Sequence, residues 1–212
     1  MAPVTNQKTE KKRRLTDGKR QAILDAALVE FDAHGFAATS MDRIAATANV
    51  SKRTVYNHFQ SKEALFDAIR QSTLQAIEHA ICPYDSSKSL ESQLQLMAQE
   101  HIAVHSSDAF MKFARISAPQ FIVSPELASA SFDEFSKSRE GLVKWIKAAA
   151  KDGRLTVADP KRAAAQFLGL LNVQMFWPQL LGGQKTPPKS ELKEIVESTI
   201  AMFLDHYRSR GA

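Results

Sequence analysis

The stretch "NVSKRTVYNHFQSKEAL", Asn49 to Leu65, decides how the chain is read. Ser51, Lys52, Arg53, Thr54, Tyr56, Asn57, His58 and Lys62 crowd together there, with Glu63 the one acid in reach. Ser51 is a good N-cap, and the helix it starts is expected to end about Phe59. Val55 and Phe59 lie one turn apart and give that helix an inner face. Arg53 and Asn57 are also one turn apart, on the outer face. Lys52 and Arg53 can pair with guanine or phosphate, Thr54 can touch a thymine methyl or a base acceptor, and Asn57 can read adenine. Taken singly, each cation reads as a solvated surface charge more readily than as a phosphate or base contact. The cluster as a whole asks for an acidic partner.

Upstream, a helix is expected from about Asp17 to His34, with Ile23, Ala27, Leu28 and Phe31 on one face. Gly35 follows as a stop able to take positive φ. Thr39 precedes "SMDRIAATA" with Asp42 three residues on, close to a capping box. This second helix is short and ends near Ala48. Asn49 and Val50 leave only a tight turn before Ser51, so the two short helices must cross steeply. Ile44, Val55 and Phe59 would fill the small core between three helices. A helix whose first side chains read base edges, preceded by one lying across the backbone, is a helix-turn-helix. Thr39, Ser40, Arg43, Tyr56, His58 and Lys62 then stand where phosphate donors are needed.

The stretch "KRQAILDAALVEFDAHGFAATSMDRIAATANVSKRTVYNHFQSKEALFDAI" resembles the N-terminal DNA-binding domain of the tetracycline-repressor-like (TetR) family, over roughly residues 17 to 70. The motifs that carry the resemblance are "ILDAALVEF", Gly35, Thr39 ahead of "IAATANVS", and an uninterrupted "VYNHFQSKEAL". The departure is Asn49, where the family usually has Gly in the turn. Asn is the ordinary residue best able to adopt a left-handed conformation, so the turn is expected to survive. The resemblance implies that Ser51 to Thr54 and Asn57 face an operator, and that Tyr56, His58 and Lys62 face phosphates.

Downstream, Gln60 and Ser61 interrupt the chain before a long helix with Leu65, Ile69, Leu74, Ile77 and Ile81 inward. Past about residue 70 the helices become long and neutral, broken at "PYDSSKS", "IVSP", "KDGRLTVADP" and "GGQKTPPKS". Apolar residues recur at helical spacing almost throughout, and no clear alternating strand pattern is present, so the fold class is all-α. The expected organisation is a basic arm over 1–16, a helix-turn-helix domain over 17–70, and a larger helical ligand-binding and dimerisation domain over 71–212.

A recognition helix reading three or four base pairs has little specificity alone, so a dimer surface is required. "DPKRAAAQFLGLLNVQMFWPQLLG" begins with Asp159 as cap and Pro160 at the first helical position and is then apolar on nearly every face. The last helix carries an apolar stripe of Leu192, Ile195, Val196, Thr199, Met202 and Phe203. Ala164, Phe167, Leu170, Leu171, Ile195, Thr199, Met202 and Phe203 are the candidate interface of an intermolecular four-helix bundle, with Gly169 another small residue permitting close approach; an intramolecular core is the alternative. The remaining Met and aromatic residues read either as core or as the wall of an apolar ligand pocket: Met97, His101, His105, Phe110, Phe113, Phe121, Trp145, Met175 and Phe176, with Phe132, Phe135 and Trp177 near them. "FARISAPQFIVSPELASASF" and "DGRLTVADPKRAAAQFLGLL" resemble the C-terminal domain of AefR-type members of the same family, with Gln120 where an acidic residue is expected. His101, His105 and Asp108 fall at i, i+4 and i+7 and could offer three metal ligands. No second helix presents an evident fourth, so no metal and no cofactor is expected.

Composition sets the outer bounds. The 212 residues are 44% hydrophobic, enough for a sizeable core. The net charge is +5, and the first twenty residues alone hold seven Lys or Arg against Glu10 and Asp17, which accounts for all of it. That arm reads either as a solubilising tail or as an added phosphate or minor-groove contact. The one cysteine, Cys82, fits a reducing cytosol, and neither a leader-like apolar segment nor a membrane-length apolar run is present, so a cytoplasmic location is expected. No Gly-rich phosphate loop, HExxH, nucleophile elbow or acid–base pair points to an enzyme. The expected function is a homodimeric repressor released from a pseudo-palindromic operator by a small effector, although the sequence does not separate repression from activation. The alternative is a non-sequence-specific architectural DNA-binding protein without an effector.

Overall fold

The computed structural model describes residues 5–78, 83–129, 131 and 139–209. Ile81, Cys82, Phe132 and Phe135 lie outside the described residues, as do the side chains of Leu74, Ile77 and residues 5–15. Among the described residues the regular structure is helical: α1 (Thr5–Ala38), α2 (Met41–Thr47), α3 (Lys52–His58), α4 (Lys62–Glu78), α5 (Leu90–His105), α6 (Asp108–Val123), α7 (Glu140–Lys151), α8 (Pro160–Met175), α9 (Trp177–Gly182) and α10 (Lys189–Tyr207). A lone antiparallel bridge, Leu155 with Arg208, ties the C-terminal segment to the α7–α8 loop.

The first helix extends upstream to Thr5, through the stretch expected to be a flexible arm, and breaks at Gly35, whose φ of 77° and ψ of 159° are non-helical. The cap of α2 differs from expectation by one residue. Ser40 is the N-cap, its hydroxyl accepting from Arg43 N at 3.3 Å. Thr39 is buried instead, and its hydroxyl donates to the carbonyls of Glu30 at 3.0 Å and Gly35 at 2.9 Å, satisfying acceptors freed where α1 ends. Asn49 has φ 52°, the one positive-φ non-glycine among the described residues, so it does the turn's work in place of glycine. Ser51 caps α3 by accepting from Thr54 N, and Ser61 caps α4 by accepting from Ala64 N. Asp159 caps α8 by accepting from Lys161 N and Arg162 N, with Pro160 at the first helical position.

Two hydrophobic cores result. The smaller joins Ile23, Ala27 and Phe31 of α1, Ile44 of α2, Val55 of α3, Phe59, and Leu65 and Ile69 of α4. It also takes in Phe113 and Ile116 of α6, a helix from the larger half. The larger core gathers α5, α7, α8 and α10 around Trp145, Ile146, Phe167, Leu171 and Met175. Each of these large side chains contributes about 1.5–3 kcal/mol by leaving water. Helix α6 packs on α1, α4, α5 and α9, so it borders both cores.

Candidate DNA-reading face and effector cavity

Val55 is fully buried, which fixes the rotation of α3 and turns Lys52, Arg53, Tyr56 and Asn57 to the exposed side. Arg53 and Asn57, one turn apart, have no hydrogen-bonding partner among the described residues. Their neighbours are engaged. Lys52 Nζ lies 2.7 Å from Asp42 Oδ1, and this hydrogen-bonded carboxylate raises the lysine pKa. Thr54 Oγ1 is 2.8 Å from Ser51 Oγ. Arg43 Nε lies 3.8 Å from the carboxylate of Glu30, which also accepts from Thr47 Oγ1 at 2.6 Å.

Two residues expected to meet phosphate also make contacts within the fold. Thr39 spends its hydroxyl on α1 carbonyls. Lys62 donates from Nζ to the carbonyls of Ala37 and Thr39, both at 3.0 Å, and its ammonium stands 4.6 Å from the centre of the Phe36 ring. It therefore clamps the α1–α2 junction to the start of α4.

The larger half contains a cavity of about 450 Å³, within the range that encloses drug-sized molecules. Met97, His101, His105, Phe110, Phe113, Phe121 and Phe176 of the expected set line it. Trp145 and Met175 do not. Trp145 is core, with its indole N–H donating to Gln93 Oε1 at 3.0 Å, and Met175 is fully buried on another side of α8. The wall also includes Trp177, which the sequence places near that set, and Ser117, Arg139, Leu168, Asn172 and Leu180, which the sequence did not single out. Helical spacing of Ser117 from Phe110 and Phe113 was available as a signal; nothing local marks Arg139 or Asn172.

Asp108 does not join the two histidines. It is exposed and held 2.8 Å from Lys112, and no cluster of metal-binding side chains exists among the described residues. The histidine rings instead lie against each other at a tilt of 31°, with centres 3.8 Å apart. His101 Nε2 lies 2.8 Å from Asn172 Oδ1, and His105 Nδ1 donates to the carbonyl of His101 at 2.9 Å. Burial pushes the His105 imidazole down to about 3, and His101 beside it adds to the fall. Burial lowers His101 as well, against the opposing bond to Asn172. Both rings are neutral near pH 7.

The expected dimer residues divide between two surfaces. Ala164, Phe167, Leu171, Ile195, Thr199 and Phe203 are buried within the protomer, and Phe167 also borders the cavity. Met202 is 54% exposed and Leu170 is partly so. The outward apolar positions of α8 and α9 are Val173, Trp177 and Leu181.

A family profile described as "Bacterial regulatory proteins, tetR family" matches residues 23–69, and one described as "AefR-like transcriptional repressor, C-terminal domain" matches residues 92–209. This chain belongs to the TetR family. A TetR-family regulator from Pseudomonas syringae pv. tomato, solved by crystallography, is 40% identical, with 92% of this chain and 99% of that one covered at a TM-score of 0.78. The structure described as "Flavonoid-responsive Regulator FrrA" is 28% identical, covering 92% of this chain and 100% of its own at a TM-score of 0.73. The uncharacterized HTH-type regulator YhgD of Bacillus subtilis is 27% identical over 199 residues, which is 91% of this chain and 96% of YhgD. The chain is thus a helix-turn-helix, DNA-binding transcriptional regulator of a non-enzymatic class. No helix among the described residues is long and apolar enough to cross a membrane.

Proposed function

We propose that this TetR-family regulator is a ligand-responsive repressor, holding a pseudo-palindromic operator as a homodimer and leaving it when a small aromatic effector fills the α5–α6–α8 cavity. The observation that carries this reading is the position of Phe113. Its ring lines the cavity, and it also stacks on Phe66 of α4 at 5.7 Å within the helix-turn-helix core. Phe66 in turn meets Phe36 at 5.4 Å, and Phe36 lies beneath Lys62. A ligand that moves α6 has a packed route to α4 and to the junction that orients α2 and α3.

On this reading Arg53 and Asn57 read bases, helped by Lys52 and Thr54. Ser40, Arg43, Ser51, Tyr56 and His58 hold the backbone. Lys62 acts through the fold, with its third N–H left for phosphate. Val173, Trp177, Leu181, Met202 and Leu170 form the dimer face, because so much exposed apolar surface on packed helices needs a cover. Effector binding changes the separation of the two recognition helices, which must match about 34 Å or a multiple. A coupling of about 1–3 kcal/mol weakens operator binding 5- to 150-fold. The name of the flavonoid-responsive relative supports an aromatic effector.

The test is selection of the protein on fragments of its own genome, with the enriched fragments rebound across salt concentrations and in the presence of aromatic compounds. An inverted repeat released by one such compound is the expected outcome. Salt-sensitive binding with no shared motif and no release would leave only the architectural role.

A further inference from the structure

The cavity wall contains two polar atoms that the protein leaves unmatched. Ser117 is 1% exposed, lines the cavity, and its hydroxyl has no hydrogen-bond partner among the described residues. His105 is the second case. A carbonyl can only accept, so the 2.9 Å contact with the His101 oxygen fixes the proton on His105 Nδ1. In the neutral ring that leaves Nε2 as a bare acceptor, and no described residue donates to it. The ring sits in an aromatic corner, 4.4 Å from Phe110 and 6.1 Å from Phe176 between centres. Buried polar groups in native proteins are almost always paired, and those left open inside a binding cavity describe the ligand's own polar groups.

Resting on the effector reading above, we infer that this cavity selects a phenol, a neutral aromatic molecule whose O–H donates to His105 Nε2 and whose oxygen or second hydroxyl engages Ser117 Oγ. The aromatic body packs against Phe110, Phe121 and Phe176. An ether or hydrocarbon of the same shape leaves Nε2 unsatisfied, and a site built to hydrogen-bond a hydroxyl rejects an analogue lacking it far more strongly than an apolar site rejects a missing methylene. A carboxylate brings a lone pair toward a lone pair at Nε2. It gains only if Arg139, also on the wall, draws it away.

The experiment uses the full chain and four matched probes, 4-phenylphenol, 4-methoxybiphenyl, biphenyl and biphenyl-4-carboxylate, with affinities measured by calorimetry and fluorescence. The expected result is 4-phenylphenol bound about tenfold or more tightly than each of the others. In His105→Phe, which keeps a ring of similar size, that preference should fall to less than about threefold while biphenyl still binds, which also shows that the cavity is intact. Ser117→Ala should reduce the same preference by a smaller factor and gives a second variant should the first fold poorly. Equal binding of phenol, ether and hydrocarbon, or a preference unchanged in both variants, overturns the phenol assignment and leaves the cavity an effector site. Tighter binding of the carboxylate overturns it in favour of Arg139. Failure of all four to bind overturns it together with the aromatic-effector reading.

Discussion

Replacing Phe113 by leucine tests the link between cavity and DNA-reading domain. Phe113 is 2% exposed and stacks on Phe66 at 5.7 Å. Truncation to alanine would cost about 3–5 kcal/mol, a large share of the 5–15 kcal/mol that holds a domain together. Leucine keeps most of the buried volume at a cost under about 1.5 kcal/mol and forfeits the ring–ring contact, worth about 0.5–1.5 kcal/mol more. The variant should therefore fold with a lowered urea midpoint. A double-mutant cycle with Phe66→Leu should return an interaction energy of about 0.5–1.5 kcal/mol. If the effector's influence travels through this contact, losing it reduces the effector-induced weakening of operator binding by roughly 2- to 13-fold, the same energy read as a ratio. Fluorescence anisotropy on the selected operator, with and without the releasing compound, reads that factor directly. An interaction energy near zero, or a full effector response in a folded Phe113→Leu protein, would refute the coupling route. Spatial adjacency alone would then be all that joins the two cores.

Arg53→Ala should cost about 1–3 kcal/mol on the operator and relax base preference at one position, measured by rebinding a randomised site. Lys62→Ala should weaken all sequences alike and also lower thermal stability by about 1–2 kcal/mol, since it removes two charged hydrogen bonds and a cation–π contact; an unchanged melting temperature would contradict the clamp. His105 is held near 3 when folded and titrates near 6.5 when unfolded, so the unfolded chain binds the extra proton between those values. Stability is then complete above about pH 6.5 and is lost as pH falls toward 3, by about 1 kcal/mol at pH 5.5 from this group. His105→Phe should flatten that acid-side slope in urea titrations at pH 7.5 and 5.5, with His101 left contributing in the same sense. Val173→Glu and Met202→Glu change exposed residues and should leave the protomer folded while light scattering shows a single 23.5 kDa chain in place of a dimer.

Where the chain must satisfy a local rule, the residues announced the structure. Ser51, Asp159 and Gly35 sit where caps and stops were expected, and Asn49 takes the left-handed conformation that the tight turn demands. Thr39 and Ser40 show the limit of that reading. Both can cap, and only the approach of the Glu30 and Gly35 carbonyls decides that Thr39 turns inward. The cavity was partly legible, because a Met- and aromatic-rich helix pair signals either core or pocket. Periodicity cannot separate the two, and only the packed structure assigns Trp145 and Met175 to the core. The same ambiguity affects α8, apolar on nearly every face. Its sequence could not tell that Ala164, Phe167 and Leu171 turn to their own core and Val173 turns out. Arg139 and Asn172 reach the cavity from distant segments, and their roles exist only once those segments meet.

The ion pair of Lys52 with Asp42 has a consequence for how the protein searches DNA. Much of the grip of a basic face on duplex of any sequence comes from cations set free from the DNA when lysine or arginine neutralises a phosphate, and a lysine already neutralised by a fixed carboxylate sets fewer free. Asp42 is an internal counterion built into the reading surface. It damps the attraction that every stretch of backbone offers equally and leaves the base-dependent contribution proposed for Arg53 and Asn57 as a larger fraction of the whole. A regulator furnished in this way is expected to dwell less on the wrong sites, gaining sequence preference by subtracting indiscriminate charge.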